Sequence, residues 1–281
     1  MSHSNIIPVH AGSQENIMFT AGVDVGSVAA KAVVYDTERR LVAGMALQPT
    51  GWNPKSAGEE VLRAACSEAG IAEPDYIVAT GYGRVSLPFA DRTTTEISCH
   101  ASGAVRLFPA TRLVLDIGGQ DSKVIRTDAD GAVLDFLMND KCAAGTGRFL
   151  QVLSGILNRD LDGLNALAMA GKPAPISSMC AVFAETEIVG LLAGGTAPED
   201  IAAGVLVSIA RRMCSLAARI PVQGECTFTG GLAISPAFGS ILSKELGISI
   251  NIPEHPQHTG AFGAAILAEN YLNKSRKRSD A

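Results

Sequence analysis

Asp24 and Asp116 each close an apolar run and open one pattern: a glycine two residues on (Gly26, Gly118), a lysine seven on (Lys31, Lys123) and a second aspartate twelve on (Asp36, Asp128). That grouping suits a triphosphate. Lacking a side chain, glycine lets backbone N–H groups close on phosphate oxygens, and a neighbouring carboxylate suits a hydrated magnesium ion. Gly26 and Ser27 form the first such turn and Gly118 and Gly119 the second, with Lys31 as a cation at the site. Gln120 and Asp121 follow the second turn, where either can orient a water molecule; the residues do not decide between them. Two such turns 92 residues apart predict duplicated lobes closing on one nucleotide.

Other residues carry weaker signals. Gly230-Gly231 ends an apolar strand, where paired glycines let the chain pass flat against a base or ribose, although a bare turn uses them too. Cys142 and Cys180 each stand at an expected helix start, the first just ahead of Gly145-Thr146-Gly147 and the second after Ser177-Ser178. The positive end of a helix favours thiolate. Two thiolates cannot complete a four-cysteine iron–sulfur site, whereas two chains about a two-fold axis can. On spacing alone, the commoner fate of a small buried residue is the stronger reading for both. Cys66, Cys99, Cys214 and Cys226 read as packed core, with His100 beside Cys99 as a partly buried imidazole. Arg84 reads equally as a phosphate contact or a solvated side chain, and Glu185 and Glu187 as ribose ligands or a solvated helix face. His255 and His258 read as surface loop residues.

Elements must position these groups. Hairpins are expected over 19–42 and 113–126, a third strand of the second unit over 132–138, and short strands over 76–80 and 226–228. Helices are expected over 56–69, 96–105 and 198–220, near Cys142 and Cys180, and from about 260 to Tyr271. Strands alternating with helices give an α/β protein. Residues 18–108 with 259–273 form the expected first lobe and 109–258 the second; 1–17 read as a flexible extension and 274–281 as a frayed basic tail. A chain of 281 residues, 47% apolar and 18% charged, has enough apolar content for two cores and is not a disordered polyelectrolyte. Its net charge of −5 argues against nucleic acid as the main partner. No apolar run approaches the roughly 20 residues of a membrane span. The polar start lacks a signal segment, so a cytoplasmic location with reduced thiols is expected. The six cysteines include no Cys-x-x-Cys pair of the zinc or ferredoxin type.

Taken together, Asp24 to Ser27, Ala79 to Arg84, Asp116 to Asp121, Asn139 to Leu150, Ser177 to Glu187 and Thr229 to Gly231 resemble the activator ATPases of 2-hydroxyacyl-CoA dehydratases and the related ATPase subunits of benzoyl-CoA reductase. The resemblance covers about Phe19 to Tyr271. It implies a two-lobed actin/Hsp70/sugar-kinase (ribonuclease H-like) fold with duplicated βββαβα subdomains. It implies a homodimer, or a pair with a related ATPase subunit, bridged by one 4Fe-4S cluster on Cys142 and Cys180. Phosphate and Mg²⁺ positions would fall at Asp24, Ser27, Asp116, Gly118, Gly119 and Gln120, and Gly145-Thr146-Gly147 would connect the lobes. The implied activity is ATP-driven donation of low-potential electrons, received from a ferredoxin or flavodoxin and passed to an acyl-CoA dehydratase or reductase component. Two other readings stay open: a small-molecule kinase with Asp91 or Asp140 as base, and a nucleotide-switched assembly protein.

Overall fold

A computed structural model describes residues 18–140, 145–177, 181–221 and 224–279. The chain builds two mixed five-stranded sheets. The first contains β1 (Phe19–Val25), β2 (Ala29–Asp36), β3 (Leu41–Pro49), β4 (Tyr76–Thr80) and β5 (Arg92–Thr93), in the order β3-β2-β1-β4-β5. The second contains β6 (Thr111–Ile117), β7 (Ser122–Thr127), β8 (Val133–Asn139), β9 (Glu225–Gly230) and β10 (Ile250–Asn251), in the order β10-β9-β6-β7-β8. Read from opposite edges the two orders coincide: three antiparallel strands, then two parallel ones. Register repeats as well. Asp24 pairs with Lys31 across its hairpin and with Thr80 on the parallel side; Asp116 pairs with Lys123 and Thr229. The pattern met in the sequence is a repeated place in space.

Eight helices are described: α1 (Pro54–Ala69), α2 (Glu96–Leu107), α3 (Gly147–Leu157), α4 (Leu161–Ala170), α5 (Ala181–Ala193), α6 (Pro198–Ala217), α7 (Pro236–Leu246) and α8 (Thr259–Ser279). Local chemistry sets their ends. In α1, Asn53 accepts from the Ser56 N–H, Pro54 opens the first turn, and Gly70 closes the helix at φ +70°. β1 is buried along nearly all its length because α1 covers one face of the first sheet and α8 the other. The second core joins Leu115, Ile117 and Phe228 to Phe149, Leu153, Ile201 and Phe238 of the helices. Helix α2 serves both lobes: Ala101 and Ala104 pack on Val114 and Ile125 of the second sheet, while Cys99 packs with Val78, Ala264 and Ala268 of the first. A Cβ on Gly263 would stand 1.8 Å from the Cys99 carbonyl oxygen, so α2 and α8 touch backbone to backbone.

Sequence pattern missed β3, α4 and the two-residue strands. The last helix also runs on to Ser279, past the expected stop near Tyr271 and through the segment read as frayed. Lys274, Arg276 and Lys277 are exposed helix formers whose charge suits a helix C-terminus. Helix α3 starts five residues beyond Cys142 and α5 immediately after Cys180, and both cysteines lie outside the described residues. Among the described residues no helix is long and apolar enough to cross a membrane.

Candidate functional site

The two hairpin turns face each other across a cleft of about 760 Å³. Gly26 N–H donates to the Ala29 carbonyl (3.0 Å) and Gly118 N–H to the Asp121 carbonyl (2.9 Å), so each turn is closed by its first glycine. Behind each turn the parallel neighbour ends in Thr-Gly. Gly81 has φ +84° and Gly230 φ +91°, both with fully extended ψ, a backbone region that glycine alone occupies without strain. A Cβ on Gly81 would lie 2.4 Å from Asp24 Oδ1, and one on Gly230 2.5 Å from Asp116 Oδ1. Carboxylate and chain coexist there because no side chain intervenes.

The twin aspartates differ in their charge partners. Lys31 Nζ lies 3.2 Å from Asp24 Oδ2 and stays partly open to the cleft. The Lys123 side chain is 2% exposed, and its Nζ reaches three carboxylates: Asp121 at 2.8 Å, Asp116 at 3.0 Å and Glu96 at 3.4 Å. Burial alone would lower the Lys123 pKa, but Asp116, Glu96 and Asp121 together raise it. Burial would likewise raise Asp116, yet His100 and Lys123 hold its carboxyl well below the usual range. Glu96 is pushed upward by burial, only partly opposed by Lys123. The second aspartates of the pattern take no part: Asp36 accepts from the Glu38 and Arg39 N–H groups, and Asp128 from those of Asp130 and Ala132, capping the turns behind.

Asp24, Asp116, Gln120 and Asp121 all line the cleft, as do Gly26, Ser27, Lys31, Gly118, Gly119, Gly147, Gly230 and Gly231. Gly145 and Thr146 do not. Thr146 is fully buried and caps α3. The next two amides brace the second turn, Gly147 N–H donating to the Gly118 carbonyl and Arg148 N–H to that of Gly119, both at 2.9 Å. Arg84 lines the cleft while donating to the Gly81 carbonyl at 2.9 Å. Glu187 accepts from the Ser177 N–H (2.8 Å) and hydroxyl (2.7 Å), which ties it to the segment before α5. Asp140 lines the cleft, whereas Asp91 accepts from the Ile77 N–H at 2.7 Å on the β4–β5 edge. His258, expected at the surface, is half-buried, and burial lowers its imidazole pKa.

Cys142 and Cys180 carry no structural account, being outside the described residues. Asn139 and Ser177, which stand near them in the chain, line one groove together with Arg212 of α6, and Gly145 lies beside Arg212. The four described cysteines are free thiols and match the packed-core reading: burial pushes Cys99 and Cys226 up to about 12 and raises Cys66 and Cys214. Among the described residues no cluster of three or more histidine, cysteine or acidic side chains suits a metal ion. Two carboxylates flanking the cleft suit Mg²⁺, which keeps most of its waters.

Sequence reasoning placed His100 as a partly buried imidazole without giving it a role, and overlooked Glu96, the trapped role of Lys123, and an apolar wall of Leu150, Leu161, Leu164 and Ile234. One signal was available. Thr95 caps α2, accepting from the Ser98 N–H at 3.2 Å, which sets Glu96 and His100 one turn apart on one helix face.

Residues 21–268 match the profile of the BadF/BadG/BcrA/BcrD ATPase family. The chain is 41% identical over 264 residues to the 2-hydroxyisocaproyl-CoA dehydratase activator of Clostridioides difficile, covering 92% of this chain and 98% of that protein. A benzoyl-CoA reductase polypeptide of Thauera aromatica is 32% identical over 260 residues, covering 88% and 92%. Among solved structures, the activator of the 2-hydroxyisocaproyl-CoA dehydratase from Clostridium difficile with bound ADPNP gives a TM-score of 0.87 at 39% identity, covering 93% of this chain and 98% of that one.

Proposed function

The chain belongs to the BadF/BadG/BcrA/BcrD ATPase family, and from that premise we propose that it is the ATP-hydrolysing activator of a 2-hydroxyacyl-CoA dehydratase, delivering low-potential electrons to that partner. One observation carries the reading. Asp24, Lys31, Thr80 and Gly81 face Asp116, Lys123, Thr229 and Gly230 across a cleft, in a chain that follows an ADPNP-bound dehydratase activator over 93% of its length. The dehydratase reading stands ahead of the reductase one because identity is 41% to the activator and 32% to the reductase polypeptide.

ATP would lie with its phosphates between the turns and its purine against Gly230, Gly231 and the apolar wall. Asp24 and Asp116, buried and each beside a lysine, suit a hydrated Mg²⁺. Lys31 answers to one carboxylate and opens on the cleft, so it is the lysine available to phosphate; Lys123 is spent holding carboxylates. Lys123 holds Asp121 at 2.8 Å and half-buried Glu96 more loosely at 3.4 Å, which leaves exposed Gln120, with Glu96 beside it, to orient the attacking water. Residues 18–108 with 259–273 and residues 109–258 would move as the two lobes, biased by the differential affinity of each for the nucleotide.

Cys142 and Cys180 from two copies of the chain, or from this chain and a related ATPase subunit, would hold one 4Fe-4S cluster, which supplies one-electron transfer when bound. The donor types fit, since the other four cysteines are packed thiols with raised pKa values. A ferredoxin or flavodoxin would be the electron donor. Anaerobically purified protein should carry about four irons per dimer and, chemically reduced and given ATP, should activate a 2-hydroxyacyl-CoA dehydratase component. Cys180→Ser should abolish iron binding while ADPNP affinity stays within about twofold, the two sites being separate. Asp140 at the cleft favours the kinase alternative; colourless protein that phosphorylates a small sugar would replace the present reading with that one.

A further inference from the structure

Helix α2 sends two adjacent side chains to different lobes. Cys99 turns into the first, packed with Val78, Ala264 and Ala268, and its thiol faces the Thr80 hydroxyl. His100 turns to the second. Its side chain is 7% exposed, with Nδ1 3.1 Å from Thr229 Oγ1 and 3.6 Å from Asp116 Oδ1. Thr229 Oγ1 lies 3.2 Å from that same Asp116 oxygen. On the other side of the ring, a Cβ placed on Gly260 would stand 2.9 Å from Nε2 and 3.2 Å from Asp24 Oδ2. The imidazole therefore fills the cleft floor between the surroundings of both aspartates.

The duplicated fold supplies an internal comparison. Thr80 and Thr229 occupy equivalent register positions beside Asp24 and Asp116. Thr80 Oγ1 is buried without a well-formed hydrogen bond, whereas Thr229 is engaged by a histidine from the helix shared between lobes. Donor counting assigns the tautomer. Thr229 Oγ1 faces two oxygens that only accept, Asp116 Oδ1 at 3.2 Å and the Leu115 carbonyl at 3.4 Å, so its single proton goes to one of them, nearer Asp116 first, and Nδ1–H must be the donor to Thr229.

We propose that His100 is a positioning residue of the nucleotide site: Nδ1–H donates to Thr229, whose hydroxyl donates to Asp116, fixing that carboxylate relative to Asp24 for one shared cation. The inference rests on the magnesium-nucleotide reading above.

Calorimetric titration of ADPNP into the full chain, prepared without oxygen, with and without Mg²⁺, tests it on four proteins: wild type, His100→Leu, His100→Asn and Thr229→Val. The leucine and valine variants should lose about tenfold of the magnesium-dependent gain in affinity, the scale of one hydrogen bond to a charged group, while metal-free affinity stays within about twofold. Asparagine, whose Nδ2 can replace Nδ1 as donor, should recover most of the gain. If His100→Leu does not fold, near-isosteric Thr229→Val carries the test alone. Variants that keep the full magnesium gain, or that weaken binding equally with and without the metal, overturn the assignment and leave His100 a packing residue. A wild-type protein with no magnesium-dependent gain overturns the nucleotide reading and this assignment with it.

Discussion

Alanine at position 230 should be far more damaging than alanine at other glycines of positive φ. At φ +91° with extended ψ, a non-glycine residue costs about 1–3 kcal/mol in backbone strain. The new Cβ would also stand 2.5 Å from both the Ile117 carbonyl oxygen and Asp116 Oδ1. The first is strand backbone and cannot retreat. The second is bonded to Lys123 at 3.0 Å through its other oxygen, and moving it forfeits about 1.5–3 kcal/mol of charge-assisted bonding. The total is about 2.5–6 kcal/mol, a fall in Tm of roughly 8–18 °C at about 3 °C per kcal/mol. Gly247→Ala is the matched control: φ is +70° and no atom lies within 4 Å of the added Cβ, so about 1 kcal/mol and roughly 3 °C are expected. Differential scanning calorimetry with and without Mg²⁺-ADPNP measures both effects. Nucleotide at about 100 times its Kd adds about 2.7 kcal/mol to a competent site, and Gly230→Ala should lose most of that stabilisation while Gly247→Ala keeps it. Equal Tm losses and equal nucleotide shifts in the two variants would refute the idea that close approach to Asp116 reserves position 230 for glycine.

The lysines should separate by function. Lys123→Met leaves Asp116, Asp121 and Glu96 crowded without a counter-charge and should cost about 3–5 kcal/mol in denaturant unfolding, whereas Lys31→Met, which strands one carboxylate that opens on the cleft, should cost less than that and weaken ADPNP binding in a titration. Glu96→Gln and Gln120→Ala should each lower kcat for ATP by about 10²-fold with little change in ADPNP affinity, while Asp121→Asn should act mainly on stability; a fall in kcat confined to Asp121→Asn would reverse these roles. Burial holds the His258 imidazole below its ordinary 6.5, with His255 and Lys31 acting the same way and Ala46 and Asp24 against. The folded chain then binds fewer protons than the unfolded one, so stability is complete above pH 6.5 and declines as pH drops below it. His258→Asn should flatten that decline between pH 6.5 and 5, measured as Tm against pH, and an unchanged slope would assign the acid sensitivity elsewhere.

What could be read from sequence followed the range of the interaction. Asp24 with Lys31 and Asp116 with Lys123 were legible because a tight hairpin fixes both partners within seven residues. Thr80-Gly81 and Thr229-Gly230 appeared as unrelated glycine features, since their equivalence comes from parallel pairing with strands far off in the chain. The expected hairpin stopped at Val42 and left β3 unread, although Gly44 lies within it. That glycine is there because α1 lies against the sheet, where a Cβ would meet the Ala65 carbonyl oxygen at 2.2 Å. Gly145-Thr146-Gly147 showed its glycines but not its structural role. The threonine caps α3 and the next amides bind the neighbouring turn, which only the docked helix reveals. Glu96 and His100 belong to no local motif, and their placement depends on how α2 settles between two sheets.

Duplication explains the scaffold and leaves the asymmetry to be explained. Both hairpins carry Asp-x-Gly and a lysine at the same register, yet Lys31 meets one carboxylate and Lys123 meets three. The extra partners have different origins. Asp121 belongs to the second turn itself, whereas Glu96 arrives on α2, the same helix that carries His100 to Thr229. Two contacts from one helix thus grip the second aspartate's surroundings, and among the described residues no matching pair grips Asp24. Any motion that parts α2 from β7 and β9 must stretch the Lys123–Glu96 and His100–Thr229 contacts together and leave a buried ammonium with fewer counter-charges, which is costly in a dry site. A nucleotide placed as proposed, spanning both aspartates, would oppose that motion, and its loss would release the restraint. On the proposed nucleotide reading, that asymmetry makes α2 the element through which occupancy of the cleft would bear on the angle between lobes, with the looser surroundings of Asp24 and Lys31 free to meet the phosphates first.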